Sequence, residues 1–258
     1  MRIFAVPAAL LLGCCLYMPL PRAKAVFSGM LVRFYNRILP AFTRKNGETD
    51  DTHALTCYLL VLIGVLALLS AIHPLVSMLL MAPAFTGLCV LPGCAAVKLE
   101  LDSGKYARDI PTYEALVRST CAALAPAFSE GIVAPMLLGA LGMPLHLGAA
   151  LTWAYAALTA LADRHAFAAR AVSLVHRISA RLFAFFMQLC SGVVGRNPLR
   201  VRGGSLPDRL LSTLGISGDA SDTHAPMAGD IPQGIFLCGF SAAILCFALC
   251  AVGFVLCK

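Results

Sequence analysis

The sequence predicts an all-α, polytopic integral membrane protein with about four full spans plus re-entrant and interfacial helices. Three observations carry this. Of 258 residues, 59% are hydrophobic and 13% charged, against about 25% charged in an ordinary soluble domain. Five blocks, 3–21, 54–72, 74–97, 131–162 and 231–257, contain no Asp, Glu, Lys or Arg, and a spanning helix needs roughly 20 such residues. The blocks also lack the polar face that a buried helix of a soluble bundle shows at helical spacing.

The whole chain, 1–258, reads as one membrane domain. Met1-Arg2 followed by an apolar run is the opening of a signal peptide, and Leu11-Leu12-Gly13-Cys14 hints at a lipoprotein site. The run continues through Tyr17 and Leu20, and six basic residues follow it, so 3–21 is read as a retained first span. Residues 22–45 form an amphipathic interfacial segment, with an apolar stripe of Phe27, Met30, Leu31, Phe34 and Ile38 beside Arg33 and Arg37. Residues 54–97 are long enough for a helical hairpin, with its turn at His73-Pro74.

Residues 98–130 carry mixed charge, with Gly104 and Pro111 as breakers, and predict a cytoplasmic loop with short helices. The 32-residue block 131–162 is too long for one span and short for two. Pro135, Gly139, Gly142, Pro144 and Gly148 interrupt it, which predicts broken or re-entrant helices. Segment 163–230 divides into an amphipathic basic helix bearing Arg170, Arg177 and Arg181, a thin apolar segment at 182–195, and a loose loop. Residues 231–257 are the final span.

The net charge of +7 is distributed unevenly. Arg22, Lys24, Arg33, Arg37, Arg44 and Lys45 have no acid among them, and the eight arginines from Arg164 to Arg209 face only Asp163 and Asp208. Basic loops beside apolar spans mark the cytoplasmic side, which places the protein in the cell (inner or plasma) membrane with lipid as its first partner. No recognition module or exposed aromatic pattern points to nucleic acid. The 11 cysteines lie mostly inside apolar blocks, with no C-x-x-C pair and no Cys/His cluster at metal spacing, so they read as small packing residues and no metal site is expected. No P-loop, G-x-S-x-G, H-E-x-x-H or Rossmann glycine run is present. His146 and Trp153 read as packing and interface residues.

One stretch has motif quality. Ala107-Arg108-Asp109, Arg118, Ser129-Glu130-Gly131-Ile132-Val133-Ala134-Pro135 and Leu141-Gly142 resemble the cobinamide-phosphate synthase family of cobalamin biosynthesis membrane proteins. Ala168-Ala169-Arg170 and Ile178-Ser179-Ala180-Arg181-Leu182 resemble a second stretch of that family. The resemblance implies a membrane enzyme that joins adenosylcobyric acid to aminopropanol or its phosphate in an ATP-dependent amide (carbon–nitrogen) ligation. It thereby implies ATP and magnesium as cofactors and a corrinoid as partner. Glu130 and Asp109 are then the catalytic candidates, and Arg108, Arg118, Arg170 and Arg181 the substrate- or phosphate-binding ones. Glu130 reads equally as a cap for a helix beginning at Gly131, Arg108-Asp109 as a local ion pair, and the α-helical arginines as lipid-headgroup anchors.

The chain departs from the family pattern at its polar positions. Ala122, Ala123, Pro126 and Ala127 replace acidic and amide residues, and Glu130 stands in for an aspartate. Val172 and Ser173 replace paired aspartates, His176 an asparagine, and Ser179 a proline. An expected acidic run within 153–162 has no acid, and an early His-Pro corresponds to Ala23-Lys24. These departures support a second expectation: a non-catalytic scaffold or regulatory relative that has kept the fold and lost the acidic site. A transporter would show embedded charge or an internal repeat, and the sequence displays neither.

Overall fold

The computed structural model describes residues 4–17, 23–42, 51–106, 109–192, 204–218 and 224–256. The described residues are all-α, with no strand among them. The expected first span is represented by α1 (Ala5–Tyr17), a helix of 13 residues. At 1.5 Å per residue that is about 20 Å, and residues 3 and 18–21 of the expected span lie outside the described residues. Helix α2 (Ala23–Ile38) follows and tightens into a 3-10 turn at Leu39–Phe42.

Helix α2 packs one face on protein. Phe27, Leu31 and Tyr35 are its buried positions, spaced by four, whereas Met30 and Phe34 are 44% and 43% exposed. The buried stripe follows its neighbours. Phe27 meets the Trp153 ring edge-on at 4.9 Å, the Leu31 carbonyl accepts the Tyr58 hydroxyl at 3.3 Å, and Tyr35 meets His165 at 5.2 Å.

The hairpin turn falls where expected. Helix α3 (Asp51–Ile72) ends at His73, whose Nδ1 accepts the Leu75 amide at 3.2 Å and caps α4 (Pro74–Met81). Pro74 sits in the first turn, where its missing N–H costs nothing. The second limb is not one straight span. Two 3-10 turns, Ala82–Ala84 and Thr86–Cys89, separate α4 from α5 (Val90–Asp102), and the two halves bend by 46°. Pro83 lies inside this break and withholds a helical donor.

The loop expected at 98–130 is mostly helix. Helix α5 continues to Asp102, pairing Lys98 with Asp102 one turn on. Helix α6 (Ile110–Phe128) runs through a π-helical turn, Ser129–Val133, into α7 (Ala134–Gly142), giving 36 helical residues from Ile110–Leu145. The charges of Glu114 and Arg118 disguise the first turns in the sequence. Pro111, which reads as a breaker, occupies the first turn, where proline is accepted.

The break expected within 131–162 is present. A 3-10 turn and His146, held left-handed at φ 59, join α7 to α8 (Gly148–Leu161). Gly142 and Gly148 allow this closure, since a Cβ on Gly142 would lie 2.6 Å from the Gly148 nitrogen. The basic helix and thin apolar segment expected beyond 163 form one helix, α9 (Ala166–Ser191). The loop expected at 196–230 contains α10 (Leu206–Leu214), started by a Ser205–Asp208 capping box and ended by left-handed Gly215. Helix α11 (Asp230–Leu256) closes the chain.

Helices α3, α6–α7 and α11 are long and apolar enough to cross a membrane, and the bent α4–α5 pair makes a fourth such unit. Cys94, Cys121, Cys190, Cys238 and Cys246 are buried and unbridged, as packing residues are.

Candidate functional site

The helix interruptions meet. Tyr17, at the end of α1, donates its hydroxyl to the Pro83 carbonyl in the α4–α5 break. Thr86–Cys89 in turn packs on the π turn of the long helix through Gly87 and Gly131. Beside this junction lies a cavity of about 430 Å³. Helix α2 contributes Lys24 and Phe27 to its wall, α6 contributes Ala123 and Ala127, and the π turn contributes Glu130. Tyr155 and Thr159 come from α8, and His176 from α9.

The π turn explains how these groups are held. Pro135 has no N–H to give, and the Ala134 N–H bonds the Ser129 carbonyl. The Glu130 carbonyl is therefore left without a helical donor, and the Tyr155 hydroxyl supplies one at 2.8 Å. The same hydroxyl oxygen lies 2.8 Å from His176 Nε2, while His176 Nδ1 lies 3.5 Å from Glu130 Oε1. Ser179 donates to the His176 carbonyl at 3.1 Å and pairs with Ser129 at 3.3 Å, tying α9 to the π turn. The result is a closed ring of contacts among α8, α9 and the π turn, with the Glu130 side chain still 49% exposed toward the cavity.

Of the catalytic and phosphate-binding candidates named from the sequence, Glu130 is the one that lies on this cavity among the described residues. It sits inside a continuous helix and caps nothing. Asp109 caps α6, accepting the Thr112 amide at 3.2 Å. The Thr112 side chain, and after it the Thr112 amide, holds the Asp109 carboxyl below the usual carboxylate range. Arg108 lies outside the described residues. Arg118 donates from Nε to the Ile216 carbonyl at 3.0 Å and sits 3.6 Å from Glu114, so it anchors the segment after α10 to α6. Arg170 and Arg181 are exposed on α9 and do not line the cavity.

Tyr155 carries no signal in the sequence, and Lys24 and His176 stand out there only as departures from the family pattern. A proline five residues after Glu130 was a usable signal, because it leaves a helical carbonyl needing a partner. No group of three or more His, Cys, Asp or Glu side chains suited to a metal is found among the described residues. Compared with known proteins, the chain matches no family model, no curated protein and no solved structure.

Proposed function

We propose that this chain is a multi-pass membrane protein of cobalamin biosynthesis, a divergent relative of cobinamide-phosphate synthase whose central cavity takes a corrinoid or its amine partner. One observation supports this most. The separate stretches that carry the resemblance and its departures come together on the cavity: Lys24, the run containing Ala123, Ala127 and Glu130, and His176.

In this reading α3, the α4–α5 pair, α6–α7 and α11 cross the cell membrane, with the basic segments cytoplasmic. Irregular backbone at membrane depth is tolerated where it lines a cavity, and the turns Thr86–Cys89 and Ser129–Val133 both border this one. Ionisable groups at such a depth are costly and functional by default.

The family's ligation uses ATP and magnesium. A magnesium-bound triphosphate needs carboxylate ligands and several phosphate donors. Among the described residues the cavity offers one carboxylate, Glu130, and one ammonium, Lys24, with Ala123 and Ala127 facing it from α6. These residues do not fit such a group. That favours the second reading, a binding relative that keeps the scaffold and has given up ligation.

Complementation separates the two. A strain lacking the synthase, expressing this chain inserted in its membrane, forms cobinamide phosphate if the chain ligates. No product from a well-inserted chain removes the ligase reading and leaves corrinoid binding as the function to be measured.

A further inference from the structure

We propose that the Glu130–Tyr155–His176 cluster makes the cavity a proton-linked anion site, which takes an organic anion with an apolar body as the His176 imidazole gains a proton. This rests on the cavity being the ligand site proposed above.

The hydrogen-bond ring fixes the proton positions. Tyr155 has one hydroxyl hydrogen, and the orphaned Glu130 carbonyl, which can only accept, takes it at 2.8 Å. Toward His176 the phenol oxygen can then only accept, so Nε2 must carry a hydrogen. In a neutral imidazole this leaves Nδ1 as a bare lone pair, 3.5 Å from a carboxylate oxygen. Two acceptors then face each other. A second proton on the ring converts this clash into an ion pair, and the serine relay holds the ring in place through the His176 backbone.

Among the described residues, the titratable or charged groups lining the cavity with His176 are few. They are Lys24 from α2, Cys89 from the 3-10 turn, Glu130 from the π turn and Tyr155 from α8, while α6 presents only Ala123 and Ala127. With His176 neutral, Lys24 and Glu130 cancel. With His176 protonated, the wall carries one net positive charge among apolar surfaces such as Phe27 and Val90. An anion with an apolar body satisfies both, and linkage requires that its binding raise proton uptake.

The chain carries its own reporter. Its single tryptophan, Trp153, meets the cavity-lining Phe27 at 4.9 Å. Benzenesulfonate, whose charge is constant near neutral pH, is titrated into the full chain in neutral-lipid nanodiscs and followed by Trp153 fluorescence. The expected result is binding on the order of tenfold tighter at about pH 6 than at about pH 8.5. Neutral benzenesulfonamide should show no such dependence. H176Q should bind with no pH dependence, and Y155F, which frees the imidazole tautomer, should weaken it. Equal affinity at both pH values, no binding at either, or an unchanged pH dependence in H176Q or Y155F each overturns the proposal. Cobyric acid, titrated in parallel, keeps the two ideas apart. Saturable quenching by it without benzenesulfonate binding leaves the corrinoid reading standing while the anion site falls, and the reverse pattern does the opposite.

Discussion

The backbones of Gly87 and Gly131 touch: a Cβ on Gly131 would fall 2.2 Å from the Gly87 nitrogen, and one on Gly87 would fall 2.3 Å from the Ala127 carbonyl oxygen. Neither obstacle is a flexible side chain, so neither can move aside cheaply. This contact fixes the α4–α5 break against the π turn and so shapes the cavity beside it.

Gly131→Ala should therefore destabilise the protein by about 1–3 kcal/mol or more, the usual range for overpacking. Gly64→Ala is the matched control, since nothing lies within 4 Å of its Cβ position in α3. There a helical alanine should be neutral or stabilising by about 0.5–1 kcal/mol. Thermal unfolding in detergent checks both, and equal melting temperatures for the two variants would contradict the close crossing.

Tyr155→Phe removes the donor to the Glu130 carbonyl and should cost about 0.5–1.5 kcal/mol, the net worth of a typical hydrogen bond. Faster amide exchange should concentrate in the π turn Ser129–Val133. Uniform loss of protection along the chain would point to general damage in place of this bond.

Acid should loosen the start of α6. Asp109 has its carboxyl lowered in the folded chain by the Thr112 side chain and amide. The stabilisation is fully present above the unfolded value of about 3.9 and is lost as pH falls through the lower folded value. Hydrogen exchange in the first turn of α6, corrected for intrinsic rate, should be flat above about pH 5 and rise below it. D109N should keep most of the cap, because asparagine also caps well, and should lose the acid sensitivity.

Arg37 and Arg177, exposed on α2 and α9, should lie on the same side of the membrane. Cysteines placed at these positions should both react with an impermeant thiol reagent from the cytoplasmic face, above the background of the parent chain. Labelling from opposite faces would overturn the one-sided arrangement of basic charge.

Long uncharged runs made α3 and α11 legible in the sequence, and His73-Pro74 made the turn between α3 and α4 legible. Charge at the ends hid other helices. Glu114 and Arg118 made the first half of a long helix look like a loop, and the arginines of α9 made its apolar half look like a separate piece. The share of Tyr35 in the buried face of α2 was not legible, because it packs on His165, a contact that no local pattern contains. Glu130 was visible as an isolated acid beside an apolar block. Lys24, Tyr155 and His176 were not recognisable as its companions, because three interrupted or distant segments must fold together before they share a wall.

The most direct test is whether the cavity takes a corrinoid. Cobyric acid added to the purified full chain should quench Trp153 fluorescence saturably, and Gly131→Ala, which distorts the cavity wall, should weaken that binding. Saturable quenching lost or weakened in the variant is the outcome expected here. A linear, non-saturating decrease identical in both proteins would contradict the proposal that this cavity serves cobalamin biosynthesis.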